Sequence, residues 1–283
     1  MDKNELFDLI NQNVKKSERS SFKALGFDNE PMWQEPLVGF ASGGDADFEF
    51  FKKDIGDFYW TPAEAFRLKY KNSNVVDNDL TVISLGFAQT EMTKQLQREE
   101  KTEPTPRWLT TRGEWEPLME EICSSIVNEL ENGGVQAVAI DLLPELCWMK
   151  SEKYGKAAKW SHRHAAFVAG LGTFGLSDGL ITRQGKAMRF TTFIIKGQYE
   201  PDKREYSTYH EWCKFFKDGS CGVCITRCPA GAITKNGHDK EKCSEYEDLI
   251  REKLIREGIM DPKYIGSCGL CQCKVPCQDS IPK

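Results

Sequence analysis

At 283 residues, with 40% hydrophobic and 29% charged side chains, the chain has the composition of a globular protein, with room for one large or two ordinary domains. Its formal net charge of −5 lacks the basic excess of a strong nucleic-acid binder. No stretch approaches the ~18 uninterrupted apolar residues of a membrane span and no signal peptide is visible, so the sequence predicts no membrane and a cytoplasmic, reducing setting. Thiols there serve metals or catalysis more than disulfides.

In chain order, Met1–Lys16 carries Leu6, Phe7, Ile10 and Val14 at helical spacing and reads as an amphipathic surface helix. Gly39–Tyr70 is rich in Phe, Tyr and Trp, most of them expected in the core. Its Gly43-Gly44-Asp45 turn is followed by no Lys-Ser/Thr and is not read as a phosphate loop. Asp79–Ala88 is a β-rich apolar run. Trp115, Leu118, Met119, Ile122, Ile126, Val127 and Leu130 mark one face of a helix stopped by Gly133-Gly134. Gln136–Leu143 and Arg189–Lys196 complete the strands, and the alternation predicts a mixed α/β sheet. Gly197–Arg204 is polar and turn-rich, a border between a body over 1–200 and a cysteine-rich tail over 201–283. One more helix is predicted near Glu245–Arg256.

Eight of the eleven cysteines fall in two ligand sets of that tail, Cys213, Cys221, Cys224, Cys228-Pro229 and then Cys243, Cys268, Cys271 and Cys277. A Cys-x2-Cys-x3-Cys-Pro core wraps a 4Fe–4S cube and sends its last cysteine to a neighbouring cube. Two 4Fe–4S clusters with crossed ligands are therefore expected, one on Cys213, Cys221, Cys224 and Cys277, the other on Cys228, Cys243, Cys268 and Cys271. Cys273 competes with Cys277 for the last place. The rival is one four-thiolate zinc site on Cys221, Cys224, Cys268 and Cys271. Its pairs are far apart for a compact ribbon, and it leaves four cysteines without a role. Cys123 and Cys147 have no partner at metal spacing and are expected as buried packing.

Ser161–Thr182 (SHRHAAFVAGLGTFGLSDGLIT), the following KAMRFTTFI, the CGVCITRCPAGAI segment and the CGLCQ–VPC–IP ending together resemble the epoxyqueuosine reductases and their relatives, the reductive dehalogenases. The resemblance covers roughly Val75 to the end. It implies an α+β architecture, an α/β cobalamin-reductase-like body with a C-terminal two-cluster ferredoxin-like module. It further implies electrons passing from a donor such as ferredoxin or flavodoxin, through the cubes, to cobalamin. The corrinoid would lie against Gly170, Leu171, Gly172, Thr173, Phe174 and Gly175, where glycines admit a flat macrocycle. The alternative at that run is a tight turn packed by Leu171, Phe174 and Leu176. The same letters match a dinucleotide-binding loop, but no clear strand precedes them.

The resemblance departs in two places. The acidic donor's Asp-x2-Pro element falls at Asp141–Pro144, and the Glu-Arg pair is replaced by His162-Arg163. Asp141 reads as proton donor or as a turn-capping carboxylate. His162, with His164, offers a general acid near neutral pH or a satisfied core histidine. Arg163 offers an anion clamp or a structural partner. The short ending after Cys277 and the acidic charge argue against tRNA and for a small-molecule substrate. The predicted function is an iron–sulfur reductase; a cofactor-free electron carrier docking to a redox partner is the alternative.

Overall fold

A computed structural model describes residues 1–27, 30–259 and 267–283. Helix α1 (Lys3–Lys16) starts behind a reciprocal cap, in which the Asp2 carboxylate accepts from the Asn4 and Glu5 amides and Glu5 accepts from the Asp2 amide. Such a cap contributes about 1 kcal/mol. Leu6, Ile10 and Val14 are buried as their spacing predicts, while Phe7 is exposed. Strand β1 (Leu37–Ser42), helices α2 (Ala46–Ile55) and α3 (Pro62–Lys69), and strand β2 (Leu80–Ala88) follow. Helices α4 (Glu91–Glu99), α5 (Pro106–Gly113) and α6 (Trp115–Asn132) lead to the short β3 (Ala137–Ala139). A hairpin of β4 (Trp148–Ser151) and β5 (Gly155–Ala158), helix α7 (His162–Val168), and a hairpin of β6 (Gly172–Phe174) and β7 (Leu180–Thr182) precede β8 (Met188–Lys196).

The main sheet has the order β1-β2-β8-β3, and each pairing is antiparallel, where the sequence predicts a mixed sheet. The reason is the place of β8. The three-helix crossover from β2 to β3 leaves a gap one strand wide, and β8 fills it running against both neighbours. Helices cover both faces. Leu6, Ile10, Leu118, Ile122, Ile126 and Leu130 of α1 and α6 pack with Ile83, Leu85, Phe87, Phe193 and Ile195. Phe48, Phe51, Phe66, Phe167 and Trp160 pack with Leu80, Val82, Phe190 and Ile194 on the other side. Burial on both faces is why β2 reads as an unbroken apolar run.

The predicted strand over Gln136–Leu143 is cut short. It pairs with β8 only from Ala137↔Ile195 to Ala139↔Phe193, then turns through a 3-10 turn at Ile140–Leu142. The edge of β8 from Met188 to Thr192 therefore has no strand on that side. This vacant edge places the candidate active cleft.

After β8 the chain runs back over the body instead of leaving it. The Asp202 carboxylate accepts from the Phe40 amide and the Lys3 ammonium, at 2.9 and 2.6 Å. Arg204 is clamped between Asp45 and Asp47, and Tyr206, Tyr209 and Trp212 pack into the body's core. The compositional border at residue 200 thus precedes the change of packing, which comes after Trp212. Helices α8 (Lys214–Asp218) and α9 (Val223–Arg227), the two-residue strands β9 (Ile233–Thr234) and β10 (Gly237–His238), and α10 (Lys240–Arg256) complete the tail. Cys123 is buried as expected, but Cys147 is exposed at the base of the β4–β5 hairpin beside Trp148, which is 64% exposed. Among the described residues no helix is long and apolar enough to cross a membrane.

Candidate functional site

Cys213, Cys221, Cys224 and Cys277 line one small cleft, together with Gly175, Leu176, Ile181, Lys186 and Val275. Cys213 caps the start of α8, Cys224 sits in α9, and Cys277 is brought in by the last turn of the chain. The Cys277 carbonyl accepts from the Lys186 amide at 3.0 Å, which ties that turn to the body. Burial pushes the Cys224 thiol up to about 11; the Lys186 charge opposes this, while Cys271, Cys277 and Cys213 add to it.

A second group forms beside it from Cys228, Cys243, Cys268 and Cys271. Burial, then the charges of Glu247, Cys271, Cys228 and Cys268, push the Cys243 thiol up to about 12. Burial does the same to Cys268, with the Leu270 amide opposing and Cys271, Glu247 and Cys228 adding to it. Thiols crowded in this way ionise together only when cations neutralise them, which is the condition a bound metal creates. Among the described residues, no three His, Cys, Asp or Glu side chains are arranged to hold one metal ion. Cys273 lies in neither group. It is fully buried against Trp108 and Ala187.

Lys186 stands between the groups. Burial alone would lower its pKa; the sulfurs of Cys277, Cys271, Cys224 and Cys213 outweigh that and hold it above the ordinary lysine value. Its ammonium donates to Ser177 Oγ at 2.8 Å.

The vacant edge of β8 gathers the polar candidates. Adjacent residues of a strand face opposite ways, so Thr191 and Thr192 reach around the edge from its two sides. Thr191 donates to Asp141 Oδ2, and Thr192 Oγ1 lies 2.9 Å from His162 Nδ1. His162 Nε2 lies 3.6 Å from Asp141 Oδ1, and both side chains are about one-fifth exposed. The structure therefore brings Asp141 and His162 together. Arg163 turns elsewhere and donates to the Asp178 carbonyl. His164 is set apart as well. Its Nδ1 is 2.7 Å from Ser161 Oγ, and its ring packs on Phe51 and Phe174. Burial first, then the charges of Arg163 and Lys240, lower its pKa to about 3, so it is neutral near pH 7 and supplies no proton there.

Arg189, on the same edge, was not singled out from the sequence. It lies over the Trp115 ring at 5.7 Å and makes no hydrogen bond or ion pair among the described residues. Burial and the like charge of Arg112 press its guanidinium below the ordinary value, with Glu116 and Glu247 opposing. Glu247, whose charge acts on Arg189, accepts from the Cys268 amide at 3.1 Å. A cation inside an apolar strand run (RFTTFII) was the signal that could have marked Arg189.

No family model matches the chain, and no curated protein sequence matches it. Solved structures do match. A selenomethionine-labelled epoxyqueuosine reductase aligns with 98% of this chain and 70% of its own at 16% identity and TM-score 0.50. The Streptococcus thermophilus epoxyqueuosine reductase aligns with 96% of this chain and 66% of its own at 14% identity and TM-score 0.50. A catabolic reductive dehalogenase aligns with 87% of this chain but 30% of its own, at 14% identity and TM-score 0.51. The fold is that of the epoxyqueuosine reductases and reductive dehalogenases.

Within this fold the AGLGTFGL segment runs from α7 to the first cysteine group, and Gly175 and Leu176 line the cleft. Gly170 ends α7 at φ +79°, and the Leu171 amide closes the turn on Ala166 O at 2.9 Å. A Cβ at Gly172 would meet Ile181 O at 2.1 Å, so this position must be glycine for β6 to pair with β7. Thr173 and Phe174 are buried; Leu171 packs beneath Gly39. The chain's own packing thus accounts for the glycine at 172. A helix, not a strand, precedes the run, so the dinucleotide-loop context is absent.

Proposed function

We propose that the chain is an iron–sulfur reductase in which two 4Fe–4S clusters carry electrons to an acceptor bound at the vacant edge of β8. The observation that supports this is the grouping of eight cysteines into two sets of four, each taking a ligand from the far end of the other's segment as in two-cluster ferredoxins. Cys213, Cys221, Cys224 and Cys277 hold the first cluster, and Cys228, Cys243, Cys268 and Cys271 the second. Bound clusters supply one-electron transfer. Cys228, Cys243, Cys268 and Cys271 would hold the cluster nearer Arg189, since Glu247 both accepts from the Cys268 amide and acts on the Arg189 charge, and that cluster would supply the electron to the acceptor.

Reductive cleavage of an acceptor consumes protons as well as electrons. The His162–Asp141 pair supplies the proton from Nε2 of His162, with Nδ1 positioned by Thr192. The acceptor is a small molecule. One structural neighbour was solved with an epoxyqueuosine-modified tRNA stem loop, at 17% identity and TM-score 0.50; the net charge of −5 argues against a tRNA substrate here. A donor of the ferredoxin or flavodoxin kind feeds the first cluster. No step is assigned to a corrinoid.

Single-cysteine variants test the reading. Cys277→Ser and Cys243→Ser each lose iron from one cluster in anaerobic preparations, and Cys273→Ser retains wild-type iron. Iron retained in Cys277→Ser and lost in Cys273→Ser would reassign the ligand. Reoxidation of dithionite-reduced protein by added cobalamin at the rate of a true acceptor would restore the corrinoid.

A further inference from the structure

We propose that Lys186 is the counter-cation of the cluster in the first cysteine group, and that its charge raises that cluster's reduction potential. The inference rests on the cluster reading above. Among the described residues two lysines are almost fully buried. Lys94, whose side chain is 3% exposed, is satisfied by carboxylates, lying 3.3 Å from Glu91 and paired also with Asp279. Lys186 is as buried, at 3% exposure, yet has no carboxylate within ion-pair distance among the described residues. Its ammonium has a neutral hydroxyl, Ser177 Oγ, at 2.8 Å, and it lines the cleft of Cys213, Cys221, Cys224 and Cys277.

Burying an ammonium without an anion is costly enough that proteins avoid it. The anion that fits is a thiolate-ligated cluster in the cleft. Gly175, Leu176 and Ile181 shield the site on one side, so the interaction is weakly screened by solvent. The backbone fixes the geometry: the Lys186 amide donates to the carbonyl of Cys277, so the cation cannot drift from the ligand turn. Reduction adds one negative charge to a cluster, and a fixed cation beside it stabilises the reduced form more than the oxidised one. Lys186 is thus a positioning residue for charge. It makes the first cluster the one that accepts the incoming electron.

The test is an anaerobic redox titration, followed by electron paramagnetic resonance, of wild type, Lys186→Met, Lys186→Gln and Lys186→Arg, each with its iron and sulfide content. Lys186→Met and Lys186→Gln are expected to weaken reduction of the first cluster about tenfold, a downward shift of about 59 mV for one electron. Lys186→Arg should stay within about threefold of wild type. Neutral variants that lose iron from the first cluster while Lys186→Arg keeps it would also support the counter-cation. Fully loaded neutral variants with unchanged potentials would overturn the proposal and leave the cluster assignment intact. So would an equal loss of iron in the Arg and Met variants. Wild-type protein that takes up no iron and sulfide would overturn both.

Discussion

Single residues here are decided by their partners more than by their types. His162 and His164 are indistinguishable in SHRH, and only packing separates them. His162 reaches Asp141 and Thr192 at a free sheet edge, whereas His164 lies between Phe51 and Phe174. Under the proposed mechanism, His162→Gln should slow acceptor reduction about 100-fold, with iron content and cluster potentials unchanged; a rate within twofold of wild type in a reoxidation assay would remove His162 from the mechanism. His164 makes a separate prediction. Its folded pKa, about 3, is below the ordinary value of 6.5, so the unfolded chain binds the proton first as pH falls. Its neutral form contributes stability that is fully present above pH 6.5 and lost progressively toward pH 3, by up to about 1.4 kcal/mol per pH unit. Denaturant titrations across that window should show a shallower acid limb in His164→Gln. Asp141 and Arg163 were visible as candidates through the resemblance, at the Asp-x2-Pro element and in the His-Arg pair. The sequence could not show that Arg163 turns to the Asp178 carbonyl, because that contact depends on a turn 15 residues away.

Secondary structure follows local sequence wherever one periodicity dominates. The helix marked by Trp115 to Leu130 forms over Trp115–Asn132 and ends at Gly133, and Arg189–Lys196 forms as β8 with Met188 added. The failures come from tertiary partners. Gln136–Leu143 has the composition of one strand but yields three paired residues, because Asp141 is drawn out to Thr191. The tail is joined to the body by contacts that no motif announces. Arg227 of α9 donates to the carbonyls of Gln97 and Glu100 at the end of α4 and to that of Cys273. Gly269, at φ +61°, lies against Trp108, and a Cβ there would come 2.1 Å from the indole. Gly269→Ala should therefore destabilise the protein by more than about 2 kcal/mol in denaturant unfolding and shed iron from the second cluster first. An unchanged midpoint with full iron would show that the Trp108 contact is dispensable.

At the scale of the whole molecule, the body has a two-faced apolar core and the cysteine segment after Trp212 does not. Apart from the cysteines, Leu176, Ile181, Ile233 and Val275 are the fully packed apolar residues around the first group. Under the proposed cluster assignment, metal–thiolate bonds supply what apolar area does not. Chelation and oxidation of the clusters should accordingly release amide protection in residues 213–259 while the sheet β1-β2-β8-β3 stays protected, as hydrogen exchange would record. Loss of protection across the sheet at the same rate would show one cooperative unit. The fold and the paired cysteine sets were legible because ligand spacing is a local property. The cleft was not, since its walls come from α5, α7, β8 and α10, which meet only after folding. Everything proposed about electron flow rests on the clusters, and the most direct test is the iron, acid-labile sulfide and zinc content of anaerobically prepared wild-type protein. The account predicts about eight iron and about eight sulfide per chain with no stoichiometric zinc; about one zinc and no sulfide would contradict it.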